Sequence, residues 1–190
     1  MEKQDLASAL LKKQIQKEAW ENISRIYPLT ENMLMQHSSD LNWEEVSRNS
    51  SIHWDVGMLE RFRSRIHWEV FSRNADDDIL SEEVIEKFKD NWDWSELSGN
   101  PNLPLCYKLI DKYINRWDWN QLTNKYHRLS NRHCIHNGRS ILLGMDFFEH
   151  YQQYIPIEDL ESSALWSNMV DEEEEAIKRE LIVGRSRQYL

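Results

Sequence analysis

A tryptophan recurs in this chain with the same neighbours: Trp43-Glu44-Glu45-Val46-Ser47, Trp68-Glu69-Val70-Phe71-Ser72, Trp94-Ser95-Glu96-Leu97-Ser98 and Trp119-Asn120-Gln121-Leu122-Thr123, at spacings of 25, 26 and 25 residues. A fixed period of this size is the signature of stacked structural units. Two residues before each Trp stands another large apolar side chain (Leu41, Ile66, Trp92, Trp117), and three after it another (Val46, Phe71, Leu97, Leu122). Positions −2, 0 and +3 fall on one helical stripe, which must be buried.

The local signals divide each period into two helices. Asn42, His67, Asp93 or Asp118 precedes the Trp, and in three cases Glu45, Glu96 or Gln121 follows at the spacing of a reciprocal N-terminal cap. A short helix is therefore expected to start at each Trp. Asn49, Asn74 and Asn100, six residues after the Trp, are expected to end it in the left-handed conformation that Asn tolerates. Thirteen residues before each Trp lies Thr30, Asp55, Ser81 or Cys106, followed by the apolar pairs Met33/Leu34, Met58/Leu59, Val84/Ile85 and Leu109/Ile110 and then by His37, Phe62, Phe88 or Tyr113. This pattern predicts an amphipathic helix of about three turns. The fold class expected is all-α, a short solenoid-like array of helix pairs with capping helices at both ends.

Five segments follow. Residues 1–27 read as an N-terminal capping helix with Trp20 beside its apolar face, and 28–124 as the Trp-containing repeats. Residues 125–143 are a basic, His-rich insertion, after which Phe147, Phe148 and Tyr151 match Leu109, Ile110 and Tyr113, and Ile157 and Leu160 stand for Trp119 and Leu122. Residues 144–166 are thus a degenerate repeat. The last segment, 167–190, reads as an acidic capping helix with Ser167 as N-cap and Gly184 as its stop.

The unit, best seen in Trp92-Asp93-Trp94-Ser95-Glu96-Leu97-Ser98-Gly99-Asn100-Pro101, resembles the tandem Trp-x-x-(Leu/Val/Ile)-Ser-x-Asn repeat proteins of some bacteria and large DNA viruses. The resemblance covers about residues 28–125 and implies a repeat architecture without implying an activity. Thr123 followed by Lys125, and Ile157 in place of Trp, depart from the pattern.

No chemistry is signalled as clearly. There is no Gly-rich phosphate loop, no paired-His metalloprotease helix and no nucleophile elbow, and a hydroxyl repeated at Ser47, Ser72, Ser98 and Thr123 is expected to bond a backbone carbonyl rather than to act as a nucleophile. Cys106 stands in for Ser at a helix cap. His127, His133, Cys134 and His136 have zinc-compatible side chains but no Cys-x-x-Cys pair, so a polar loop is expected and neither metal nor cofactor.

With a net charge of −10 the chain is a poor general binder of nucleic acid, whose affinity comes from neutralising phosphates. The basic insertion with Arg128, Arg132 and Arg139 is the one segment that could reverse this. Two cysteines, no apolar run of membrane length and no signal-peptide pattern lead to a cytoplasmic protein without disulfides as the expectation. The function expected is non-enzymatic: a protein-interaction module that binds a basic partner through Glu44, Glu45, Glu69, Glu96 and Asp76-Asp77-Asp78, with oligomeric state left open. The alternative is an acidic inhibitor that imitates nucleic acid and blocks a nuclease or another defence enzyme.

Overall fold

The computed structural model describes residues 2–124, 135–136, 139–140 and 143–187, and it is all-helical apart from one two-residue antiparallel pairing. The chain forms two compact units, Met1–Asp93 and Trp94–Leu190. The first holds α1 (Glu2–Ile26), α2 (Glu31–Gln36), α3 (Trp43–Arg48), α4 (Val56–Arg61), α5 (Trp68–Asn74) and α6 (Glu82–Lys87). The second holds α7 (Trp94–Ser98), α8 (Tyr107–Lys112), α9 (Trp119–Asn124), β1 (Ile135–His136) paired with β2 (Arg139–Ser140), α10 (Met145–Tyr151), a 3-10 turn (Leu160–Ser162) and α11 (Ala164–Arg187).

A helix begins at each repeated Trp, as the caps require. The side chain of Asn42 accepts from the N–H groups of Glu44 and Glu45, and that of Asp118 from Gln121. His67 makes no side-chain cap. Thr30, Asp55, Ser81 and Cys106 cap α2, α4, α6 and α8. These four helices are only six residues long, not three turns. They stop because the next aromatic position leaves the helix. Phe62 is the C-cap of α4, and its carbonyl accepts from both Arg65 and Ile66, a tight turn that carries Ile66 into the core. His37 does the same for Leu41, and Phe88 for Trp92.

The hydroxyl after each Trp does more than bond a carbonyl. Ser47 Oγ donates to Trp43 O at 2.7 Å and accepts the backbone N–H of His67 at 2.9 Å. It thereby ties α3 to the start of α5, and these two helices pack side by side. Ser98 repeats this with Trp94 O and the N–H of Asp118, and Ser72 accepts the N–H of Asp93. The N–H of the N-cap residue is thus taken by the preceding serine, so the expected reciprocal cap from Glu45 or Gln121 does not form. Ser24 makes the same pair of bonds, to Trp20 O at 2.7 Å and from Asn42 N at 3.0 Å. Trp20-Glu21-Asn22-Ile23-Ser24 is therefore a further copy of the unit, carried by the last turns of α1 rather than lying beside a simple cap.

The repeated indoles are half-buried, and each lies against the aromatic residue one helix further on. Ring centroids are 5.2 Å apart for Trp43 and Phe62, 5.5 Å for Trp68 and Phe88, 4.7 Å for Trp94 and Tyr113, and 5.2 Å for Trp119 and Tyr151. Trp20 and His37 make the equivalent pair at 5.0 Å. The indole N–H groups of Trp43 and Trp68 donate to Ser38 O and Arg63 O, both at 2.9 Å, so the polar edge of each ring is satisfied at the protein surface. Leu41, Ile66, Trp92 and Trp117, at position −2, are fully inside, as are Val46, Phe71, Leu97 and Leu122 at +3.

Three expectations at the chain's later end are corrected. Phe147 and Tyr151 are buried as predicted, but Ile157 is 71% exposed and does not take the place of a Trp. No helix starts at Ile157: Pro156, which corresponds in sequence to the N-cap of the other repeats, has no N–H to give to the Thr123 hydroxyl, which among the described residues bonds Trp119 O and Asn120 O of its own helix. Ser163, not Ser167, caps α11 through the N–H of Trp166, and α11 continues through Gly184 to Arg187. Within its acidic run, Glu172 accepts the N–H of Met145 at the start of α10, in a space that a side chain at Gly144 would fill.

Because the Ser47 hydroxyl satisfies a donor and an acceptor at once in a buried position, Ser47→Ala is expected to lower stability by about 1–3 kcal/mol, read by urea unfolding. Ser39→Ala, at an exposed position, should change it by less than about 0.5 kcal/mol. Equal losses at the two sites would show that the hydroxyl bridge contributes nothing particular.

Candidate partner-binding surface

The first residue after each Trp faces solvent: Glu44, Glu69, Ser95 and Asn120 are all exposed. The second does not, although Glu45 and Glu96 were expected to bind a partner. Glu45, Glu96 and Gln121 are half-buried and Val70 is buried, because this position packs back over the helix start. Glu45 is also spoken for. Its Oε2 lies 3.6 Å from Arg25 Nε and its Oε1 3.7 Å from Arg48 Nη1, and Glu44 Oε1 is 3.2 Å from Arg48 Nη2. These separations make Glu45 a partly buried ion pair rather than a hydrogen-bonded one, and its Oε2 has no hydrogen-bond donor among the described residues. The charges of Glu44 and Glu45 are thus largely balanced within the protein. Glu96 lies on the other compact unit from Glu44, Glu45 and Glu69.

Asp76, Asp77 and Asp78 are different. All three are exposed, and they follow the C-terminal end of α5, where the helix dipole places negative potential. The Asp76 carboxyl is pushed above its ordinary value, first by the desolvation of its partly buried position and then by repulsion from Asp77 and Asp78, with His53 pulling the other way. Beside this loop lies a small cavity of about 110 Å³, lined by residues of the loop after α3 (among them Asn49, Ser50 and His53) and of the α5 end and its loop (among them Asn74, Asp76 and Asp78).

The second compact unit carries a hollow that sequence reasoning missed, formed by Tyr107, Lys108, Asp111, Asp146, Glu149 and His150. Tyr151 donates to Asp111 Oδ1 at 2.9 Å, and His150 Nε2 is 3.9 Å from the same oxygen. Burial, the bond to Asp111 and its charge hold the Tyr151 hydroxyl far above the ordinary phenol range, so it stays a donor at any physiological pH. The hollow is wide, shallow and acidic. Its residues come from α8 and α10, on either side of the 125–143 insertion, which is why no fixed spacing announced it.

Of the zinc-compatible residues, His127, His133 and Cys134 lie outside the described residues, and His136 falls in β1 with its side chain outside the description. Arg128 and Arg132 likewise lie outside the described residues. Among the described residues no group of three His, Cys, Asp or Glu side chains is arranged to hold a metal ion, and no helix is long and apolar enough to cross a membrane. Comparisons with protein-family models, curated proteins and solved structures found no match to this chain.

The raised Asp76 sets a pH prediction. A carboxyl whose pKa is higher in the folded than in the unfolded state favours folding in its protonated form; that contribution is full below the ordinary carboxylate range and is lost as the pH rises through the raised value. Asp76→Asn, which removes the charge and keeps the shape, should therefore melt above the unaltered protein at neutral pH, and the difference should vanish in acid. The gain should be modest, since the carboxyl is mostly solvated. A melting temperature lowered at neutral pH would show instead that the ionised Asp76 is held by a favourable partner.

Proposed function

We propose that this chain is a non-enzymatic protein-interaction module whose first compact unit binds a basic partner through the surface centred on Asp76, Asp77 and Asp78, with Glu69 on the preceding helix. The observation that carries this reading is the crowding of these three carboxylates at a helix C-terminus, where burial and mutual repulsion hold Asp76 above its ordinary pKa. Charges arranged against their own electrostatics are relieved by an incoming cation, and the same field steers a basic partner to the surface. Glu44 and Glu45, matched by Arg25 and Arg48, contribute less. The proposed kinship with the tandem Trp-repeat proteins fits a scaffold of this kind, in which buried positions keep the architecture and loops carry recognition.

The test is capture of partners from lysate by the full chain and by a variant with Asp76, Asp77 and Asp78 all changed to Asn. A protein that the unaltered chain retains and the variant loses supports the module, and Glu44→Gln should leave capture unchanged. Retention by the variant equal to that of the unaltered chain overturns it. A captured nuclease that leaves with rising salt would turn the reading to the nucleic-acid-mimicking inhibitor, and recovery of RNA or DNA would turn it to the basic insertion.

A further inference from the structure

The cavity beside the Asp76 loop exists because one crosslink of the repeat is left unmade. In the preceding copy Asn49, six residues after Trp43, sends its side-chain amide to Ser24 O at 2.9 Å and to Tyr27 O at 2.8 Å, four and seven residues after Trp20. Its Oδ1 accepts the N–H of Ser51 and holds the turn. Asn49 has φ −74° and is buried; it is a tie between two units and not a left-handed helix stop. One period later the same positions are Asn74, Ser47 and Ser50. Here Asn74 remains inside α5, and its amide donates to Val70 O of its own helix at 2.7 Å. No hydrogen bond among the described residues reaches Ser47 O or Ser50 O, and both serines line the cavity.

The sequence explains the difference. Cap residues Asp55, Ser81 and Cys106 follow Trp43, Trp68 and Trp94 by 12, 13 and 12 residues, so the single extra residue of the 26-residue period falls in the Ala75-Asp76-Asp77-Asp78 loop. That residue lets α5 run seven residues where α3 runs six, and it draws Asn74 into the helix.

What remains is a cavity of about 110 Å³ whose lining includes two aspartates and the two serines whose carbonyls take no hydrogen bond among the described residues. Ser47 O and Ser50 O lack the amide donor that their counterparts Ser24 O and Tyr27 O receive, Asp76 and Asp78 supply negative charge, and Trp54 and Phe71, with ring centroids 5.5 Å apart, add apolar lining. Arg48, on the lining, is held by Glu44 and Glu45, and His53 is the other titratable group there. A planar guanidinium fits these demands: its several N–H donors can reach two carbonyls and a carboxylate together, and its face packs on an aromatic ring. We propose that this cavity receives an arginine side chain of the partner. This rests on the reading of the acidic surface above and names what the partner inserts.

Methylguanidinium is the probe, titrated into the full-length ¹⁵N-labelled chain and followed by backbone amide shifts. The expected result is saturable binding with shifts confined to residues 47–54 and 71–79, weakened about tenfold, a loss near 1.4 kcal/mol, by Asp76→Asn. Ala75→Val, which fills the cavity and keeps every charge, should abolish it; should that variant not fold, Asp76→Asn decides alone. Unsaturable shifts spread over Glu44, Glu69 and the other carboxylates overturn the proposal, as does equal binding of methylammonium. An Asn74 side-chain amide found protected and in contact with Ser50 overturns it too, since the cavity would then be closed. Probe binding that fails while the lysate partner is still captured removes the cavity and leaves the surface; probe binding without any Asp-dependent partner does the reverse.

Discussion

The structure depends on a buried hydroxyl that serves two helices at once. Ser24, Ser47 and Ser98 each donate to the carbonyl of the Trp four residues earlier and accept the N–H of the residue that opens the next Trp helix. Each is almost wholly shielded from water. A helix start leaves orphan N–H groups, and burial makes an orphan costly. The serine of the preceding copy removes that cost for the one N–H that the N-cap side chain cannot reach, its own. The bond fixes the axial position of one helix on the next, which apolar packing alone leaves loose. Alanine would pack equally well at these sites but could not set this register.

The indoles complete the same junction from the outer side. A Trp that were wholly inside would need an internal acceptor for its N–H; one wholly outside would contribute no burial. Trp43 and Trp68 satisfy both by lying half-covered, ring on the aromatic of the following helix and N–H on the carbonyl just after the preceding one. Arg65 lies over Trp43 and Arg116 over Trp94, at 6.0 and 5.4 Å from the ring centroids. The solvent-facing side of these rings is thus covered by cations instead of forming an open aromatic platform.

How much of this was legible follows from what each residue answers to. Helix starts were readable because caps and periodicity are local: Asn42, Asp55, Ser81 and Asp118 act as caps where their spacing placed them. The serine was legible as a carbonyl partner but not as a bridge, since its second bond is made to a residue about twenty positions on. Asn49 was misread for the same reason. Asn is common at helix ends for conformational reasons, and nothing local tells such an Asn from one whose amide crosses to Ser24 and Tyr27. Trp20 was hidden because α1 runs through it without a cap, so the copy lacks its usual opening signal. The Asp76 carboxylates were named from charge alone; the cavity beside them could not be, since it is defined by a bond that is absent.

That absent bond shows how a repeat can open a cavity without losing its fold. The serine and aromatic contacts of the Trp68 copy are intact: Ser47 still receives His67, and Trp68 still packs on Phe88. Only the Asn contact is released: α5 runs on through Asn74, whose amide then bonds Val70 O of its own helix instead of reaching back to the preceding copy. An insertion between Trp68 and Ser72 would instead displace the hydroxyl from its partner and leave a buried N–H unpaired. Tolerance therefore rises from the serine outward to the loop, and the loop that gained the residue is also the one bearing three consecutive aspartates. Helix packing and loop chemistry can then change separately within a period of 25 or 26 residues, with the boundary between them at the C-terminal end of the Trp helix.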